Sequence, residues 1–276
     1  MTHAQSADLF VEKERILLES LSAQDSLLVA FSGGADSAYL AWAAHRALGP
    51  RALAVTALSP SFSAHDRRQA EEFIRQTGVR HEWMETEEFS NPLYVANGPD
   101  RCYHCKAELF TELEHLAAAR GLSAIAYGIN ADDTSDFRPG HRAAAEHRIL
   151  APLLDARLTK AEVRELSRRA GLATWDRPAS ACLSSRVPYG TPVTPEVLAR
   201  IERGEAILRE LGFRQFRVRY HDALARIEIA PDELPRALTA EMMRVLTDGF
   251  KSIGFTYVTL DLEGYRQGSL NALLKK

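Results

Sequence analysis

No apolar run in this 276-residue chain reaches the roughly 18 residues that a membrane helix needs. Nor does the stretch from Met1 to Phe10 show a basic segment leading into an apolar one, the mark of a secretory signal. The two absences predict a cytosolic (cytoplasmic) protein with no membrane partner. Cysteine is scarce: there are three. An odd number of thiols in a reducing compartment excludes a disulfide framework and leaves all three to be explained. A basic excess is missing too. With 34 Lys and Arg against 37 Asp and Glu, the formal net charge is -3. Nucleic-acid binders usually carry a cationic surplus that neutralises phosphates, so a small-molecule substrate is expected and a tRNA partner is not. What is present is an ordinary globular composition, 46% hydrophobic and 26% charged. The length suits one large domain, or a large and a small one.

The apolar pattern alternates between two periods. Leu9–Leu21 reads as an amphipathic helix, 26–31 as a strand, 38–48 as an Ala-rich helix ended by Gly49-Pro50, and 52–58 as a second strand. A helix over 65–77, a strand over 80–84, a turn-rich stretch over 91–102, a helix over 106–119 and a strand over 124–128 follow. A polar loop covers 130–140. Thr159 and Glu162 form a capping-box pattern for a helix ending at Gly171. Strands alternating with helices predict an α/β fold: a doubly wound parallel sheet covered on both faces. The rhythm breaks over 175–195, which holds four prolines and one cysteine. Beyond it lie a helix (195–211), strands at 215–220 and 225–229, a helix over 234–253 and a strand at 256–260, a smaller C-terminal α+β domain. The expected division is 1–186 and 187–276.

Ser32-Gly33-Gly34-Ala35-Asp36-Ser37 joins the first strand to a helix. Two glycines let backbone approach an anion, and free N–H groups at a helix start attract phosphate. Asp36 repels phosphate by itself, so it requires a bridging Mg²⁺ or a capping role. The loop is not a Walker sequence, because no Gly-Lys-Ser/Thr follows. It resembles the S-G-G-x-D-S signature of the PP-loop ATP pyrophosphatases, which cleave ATP between the α and β phosphates and leave an adenylated substrate. The plain alternative is a glycine turn with a Ser/Asp cap.

Cys102 and Cys105 form a C-x-x-C pair ahead of the predicted helix, and Cys182 stands alone about 80 residues on. The pair spacing suits two thiolates on one metal centre. Several readings stay open: a catalytic dithiol, a zinc site lacking a fourth ligand, inert thiols, a three-thiolate [4Fe–4S] cluster with one open iron, or Cys182 acting alone as sulfur carrier.

A PP-loop with this cysteine layout resembles two sulfur-inserting families, the tRNA cytidine 2-thiolation enzymes and the LarE-type pyridinium-3,5-bisthiocarboxylic acid mononucleotide synthases. The flanking segments are similar to the second: Arg101–Lys106, Gly128–Asp133, Asp136–Gly140, and above all Pro178–Gly190 with Cys182 at its centre. The resemblance implies ATP-dependent adenylation of a carboxylate on a pyridinium biscarboxylic acid mononucleotide. Sulfur then displaces AMP to give a thiocarboxylate, in nickel-pincer cofactor biosynthesis and lactate racemase maturation. In members with a single cysteine, the residue matching Cys182 surrenders its own sulfur. Having Cys102 and Cys105 as well, this chain is similar to the branch in which a [4Fe–4S] cluster supplies sulfide. A homo-oligomer is also implied.

The roles expected on this basis are as follows. Ser32, Gly33, Gly34, Asp36 and Ser37, with Gly128 and Asp133, bind ATP and Mg²⁺, and Asp136 is a further candidate there. Cys102, Cys105 and Cys182 are both catalytic and cluster ligands. Ser180, Ser185, Arg186, Arg217 and Arg219 bind the substrate mononucleotide. The arginine pair lies on one face of a strand, where solvent-facing charge is the alternative. Glu228 is a weak candidate for a metal or subunit contact.

Overall fold

The computed structural model describes residues 3–135, 139–178, 181–266 and 269, with the side chains from residue 10 on except those of residues 134, 135 and 139. These divide into two compact units. The first comprises residues 3–59, Ala64–Glu88 and 102–178. The second comprises Pro60–Ser63, Phe89–Arg101 and the chain from 181 onward.

The first unit opens with α1 (His3–Ser22), β1 (Leu27–Ala30), α2 (Ala35–Leu48), β2 (Ala52–Leu58), α3 (Ala64–Thr77) and β3 (His81–Glu85). The second unit interrupts with a single turn, α4 (Pro92–Val95). Then come α5 (Arg101–Arg120), β4 (Ala124–Tyr127), α6 (Pro139–Glu146), α7 (Pro152–Asp155) and α8 (Lys160–Arg169). The four strands form one sheet in the order β3-β2-β1-β4, every pairing parallel. Parallel strands need covering on both faces, and Leu27, Leu28, Leu53 and Ala126 are accordingly buried. Leu28, Leu53, Val55 and Ile125 pack with Phe110 and Leu113 of α5. The strand order reverses at β1, between β2 on one side and β4 on the other. Open α/β sheets bind ligands at such a point, beyond the carboxyl ends of the strands.

The second unit continues with α9 (Pro195–Glu210), β5 (Phe216–His221), β6 (Leu224–Ile229), α10 (Leu234–Ala237), α11 (Ala240–Ser252) and β7 (Tyr257–Leu260). β5 and β6 pair antiparallel, and β6 and β7 parallel. Gly204, in mid-α9, is required by packing: a Cβ there would stand 2.9 Å from Phe250 and 3.3 Å from Val218. A parallel α/β domain with a smaller α+β domain is thus the observed fold class.

Three local expectations need correction. The C-x-x-C pair does not precede its helix; α5 begins at Arg101, so both cysteines lie in its first two turns. The expected helix over 234–253 is two helices. Thr239 accepts a hydrogen bond from the Met242 N–H at 3.3 Å, capping α11 and separating it from α10. Finally, the polar loop over 130–140 is a 3-10 turn at Ala131–Ser135 followed by the start of α6. Asp136, Phe137 and Arg138 lie outside the described residues, as do Ala179 and Ser180. Among the described residues, no helix is long and apolar enough to cross a membrane.

Candidate functional site

The glycine loop sits at the switch point. Gly33 has φ 76°, open to glycine at no steric cost, and Gly34 is the N-cap residue of α2 with no side-chain cap. The first-turn N–H groups of α2 have no intrahelical acceptors, and the dipole's positive end adds to the local field. Ser32 and Ser37 brace the loop. The Ser37 hydroxyl accepts from the Ser32 N–H at 3.2 Å, donates to the Gly34 carbonyl at 3.1 Å, and lies 3.1 Å from the Ser32 hydroxyl.

Behind the loop, His81 Nε2 lies 2.9 Å from the Thr56 hydroxyl, which donates to the Phe31 carbonyl at 2.8 Å. The hydroxyl proton being committed to Phe31, the imidazole is the donor at Nε2. Burial pushes the His81 pKa down to about 4, so the ring is neutral near pH 7.

Gly128, just past the end of β4, packs against the glycine loop. A Cβ there would lie 2.7 Å from Ser37 N and 2.8 Å from Ser37 Cα. Backbone thus packs on backbone where α2 begins, and neither side can step aside. Gly128→Ala is expected to cost about 3 kcal/mol, the upper part of the overpacking range, and to disturb the start of α2. Urea unfolding checks this, and an unchanged unfolding midpoint would refute the contact.

Asp36 is the acid of the site. Its Oδ2 pairs with the Lys160 ammonium, while Oδ1 is buried with no hydrogen-bond partner. Burial raises its pKa, the Lys160 charge and hydrogen bond oppose that, and the Asp133 charge adds to the rise. Lys160 is itself held by its N–H, which donates to Asp132 Oδ2 at 2.8 Å. Asn130 organises the turn: its side-chain oxygen accepts from the Asp132 N–H at 2.9 Å, and its own N–H donates to Asp133 Oδ2 at 3.2 Å. An orphaned carboxylate oxygen with a second carboxylate close by fits a hard divalent cation. Asp36 and Asp133 would therefore hold Mg²⁺.

In the second unit, Cys182 is exposed just before a 3-10 turn, Leu183–Arg186. Its carbonyl accepts from Ser185 Oγ at 2.7 Å and from Arg186 Nη1 at 2.9 Å. Arg186 is 3% exposed and also pairs with Glu205, Nε to Oε1 at 2.9 Å and Nη2 to Oε2 at 3.2 Å. Its guanidinium is therefore engaged in holding the Cys182 turn to α9. Arg217 and Arg219 share one face of β5, where Arg219 is buried and Arg217 half-buried. Arg219 donates to Glu228 Oε2 at 2.8 Å and to the Ser185 carbonyl at 3.0 Å. Glu228 is fully buried and is also paired with Arg226 at 3.3 Å. Arg217 donates to the Phe216 carbonyl at 2.7 Å and stacks over Tyr265. Burial lowers its pKa, and the Arg186 charge lowers it further.

On the amino side of the C-x-x-C helix, Arg101 donates to the Ser184 carbonyl at 2.8 Å and to Asn97 Oδ1 at 2.5 Å. Tyr94 and Ser184 share a hydrogen bond of 2.7 Å. One guanidinium therefore joins the residue before Cys102 to the residue two beyond Cys182. Cys102 and Cys105, three apart on α5, share a helical face. They belong to the first unit and Cys182 to the second. None of the three is in a disulfide. Among the described residues, no group of three or more His, Cys, Asp and Glu is gathered around a common metal position. Soft thiolates still suit an iron–sulfur centre chemically.

Comparison with known proteins adds the decisive observation. No family model matches the chain. It is 35% identical over 269 residues to the pyridinium-3,5-bisthiocarboxylic acid mononucleotide synthase of Lactiplantibacillus plantarum, covering 96% of this chain and 95% of that one. The chain belongs to the pyridinium-3,5-bisthiocarboxylic acid mononucleotide synthase family. Two uncharacterised proteins are also similar. One, slr1717 of Synechocystis, is 44% identical over 91% of this chain and 94% of its own. The other, MJ0830 of Methanocaldococcus jannaschii, is 31% identical over 62% of this chain and 66% of its own.

In this synthase-family chain, sequence reasoning missed three residues. Lys160 was legible only as the first residue of a capped helix; nothing signalled Asp36, distant in sequence. Arg177 donates from Nη1 to the Gly33 carbonyl, and only its place at the start of the proline-broken stretch hinted at it. Glu205 was hidden because it reads as one more charge on an amphipathic helix.

Proposed function

We propose that this chain is an ATP-dependent sulfur transferase that converts a carboxylate of pyridinium-3,5-biscarboxylic acid mononucleotide into a thiocarboxylate, releasing AMP and pyrophosphate. What carries the reading is similarity to the named synthase over 96% of the chain, spanning the glycine loop and the Cys182 turn alike. The uncapped start of α2 at the sheet's switch point supports the nucleotide half of it.

ATP phosphates would rest against the N–H groups of the Gly33–Ser37 loop, with Mg²⁺ held by Asp36 and Asp133. The substrate carboxylate attacks the α-phosphorus; the bond to the bridging oxygen breaks and pyrophosphate departs. This step exchanges a poor leaving group for a good one. Sulfur then attacks the acyl carbon, and AMP leaves with the former carboxylate oxygen. Thiolate or sulfide outcompetes water because it is far more nucleophilic at neutral pH. The substrate's phosphate would find its cation in Arg217, beside the ion pairs of Arg186 with Glu205, Arg219 with Glu228, and Arg226 with Glu228 and Asp261. A [4Fe–4S] cluster on Cys102, Cys105 and Cys182, when bound, would supply the sulfide.

The test is anaerobic purification with iron and sulfide analysis, followed by single-turnover assays with ATP and the pyridinium mononucleotide. About four irons per chain are expected, from cubane stoichiometry, falling to near zero in Cys102→Ala. AMP release should require the mononucleotide. Iron-free protein that thiolates once per chain would replace the cluster with sacrifice of Cys182. Failure to release AMP would remove the ATP-dependent activity itself.

A further inference from the structure

Arg177 belongs to the first unit, ahead of the segment that carries Cys182, and its guanidinium reaches back to the glycine loop. Nη1 donates to the carbonyl of Gly33, and it stands 3.8 Å from the place a Cβ of Gly33 would occupy. The arginine is held in turn, since Arg164 of α8 donates from Nη2 to the Arg177 carbonyl at 2.8 Å. Burial lowers the Arg177 pKa, and the negative charges of Asp66 and Asp176 oppose that only in part.

The peptide between Gly33 and Gly34 has no intrinsic orientation to keep. It turns through ψ of one glycine and φ of the next, and glycine lacks the Cβ that restricts both. A loop built this way approaches an anion closely but is also free to flip its amide. In a trans peptide the C=O and N–H point in opposite directions. A donor fixed on the Gly33 carbonyl therefore fixes the direction of the Gly34 N–H, away from Arg177. The Gly34 carbonyl is tied separately, accepting from the Ala38 N–H at 2.9 Å and from the Ser37 hydroxyl at 3.1 Å.

We propose that Arg177 is a positioning residue for the nucleotide loop: by holding the Gly33 carbonyl it keeps the Gly34 N–H turned toward the phosphates of ATP. The inference rests on the ATP reading above. Arg177 itself need not touch the nucleotide. Arg164 extends the arrangement, because it sets where the Arg177 backbone lies.

Calorimetric titration of inorganic pyrophosphate and of adenosine into wild type, Arg177→Met, Arg177→Gln and Arg177→Lys decides the matter. Arg177→Met should weaken pyrophosphate binding by about tenfold to a hundredfold, the worth of one charge-assisted hydrogen bond, with adenosine affinity unchanged. Arg177→Gln, which keeps a donor without the charge, should recover a substantial part, and Arg177→Lys likewise. Equal losses for pyrophosphate and adenosine would mean general damage and overturn the proposal. So would recovery by lysine alone, which would assign the effect to charge, or wild-type affinity in Arg177→Met. Wild type that binds neither ATP nor pyrophosphate would instead sink the underlying ATP reading, and this inference with it.

Discussion

Cys182→Ala is expected to abolish thiocarboxylate formation, by at least about 10³-fold, the scale seen when a nucleophile is removed from a working constellation. Adenylation should persist within a few-fold. The two halves separate because they draw on different residues. On the proposed reading ATP would be handled around Gly33, Asp36 and Lys160, whereas Cys182 sits exposed on a turn whose backbone is fixed from within by Ser185 and Arg186. Alanine leaves those backbone contacts in place, since both reach the carbonyl and not the thiol. The acyl-adenylate then formed should be lost to water, so AMP accumulates without thiolated product. Mass analysis of the product and AMP quantification check this together. Thiocarboxylate made by Cys182→Ala at the wild-type rate would exclude this cysteine from sulfur transfer under either source of sulfur. The companion variant Cys102→Ala distinguishes those sources. It should behave like Cys182→Ala if three thiolates hold a cluster, and should retain one turnover per chain if Cys182 surrenders its own sulfur.

The order of elements in the first unit was legible because its signals are local. Short apolar runs in 26–31, 52–58 and 124–128 announced parallel strands, and Thr159 with Glu162 announced the start of α8. The capping box is present as expected, the Glu162 carboxylate accepting from the Thr159 N–H at 2.8 Å and also binding Lys13. Where local and tertiary signals disagreed, the sequence misled. Cys102 and Cys105 looked like residues between the turn-rich stretch over 91–102 and the helix over 106–119, yet the helix starts at Arg101, whose side chain is anchored by Asn97 and Ser184. Arg217 and Arg219 had two readings at the level of sequence, phosphate ligands or surface charge. Their burial became apparent only with the partners that permit it. Glu205 and Glu228 come from α9 and β6, and a buried charge needs a counter-charge that strand periodicity does not reveal. Pairings across long sequence separations, such as Lys160 with Asp36 or Arg177 with Gly33, had no signal that named the partner.

Glu205 bears the second large effect. It is 5% exposed on α9, binds Arg186 through both carboxylate oxygens, and accepts from the Val218 N–H at 3.4 Å. Burial pushes its pKa up. The Arg186 charge and hydrogen bonds, with the Arg217 charge, outweigh that and hold it below the ordinary carboxylate range. Glu205→Gln keeps the shape and removes the charge, leaving Arg186 and Arg217 close together without their shared anion. The expected cost is about 3–5 kcal/mol, as for other buried pairs broken on one side. The pH dependence has a definite sign. A carboxylate with a depressed folded-state pKa binds fewer protons folded than unfolded between the two values, so its stabilisation is complete above the unfolded pKa. It is lost as pH falls through the folded value. The gap between wild type and Glu205→Gln in urea unfolding should therefore be widest near neutrality and begin to close below about pH 4.3, the unfolded Glu value. Glu205→Leu combined with Arg186→Met should cost less than the two single changes summed, because removing both charges leaves neither one buried alone. A gap that stays constant down to pH 3, or strictly additive losses, would mean the pair is not coupled. The Cys182 turn would then have to be held by something other than the ion pair behind it.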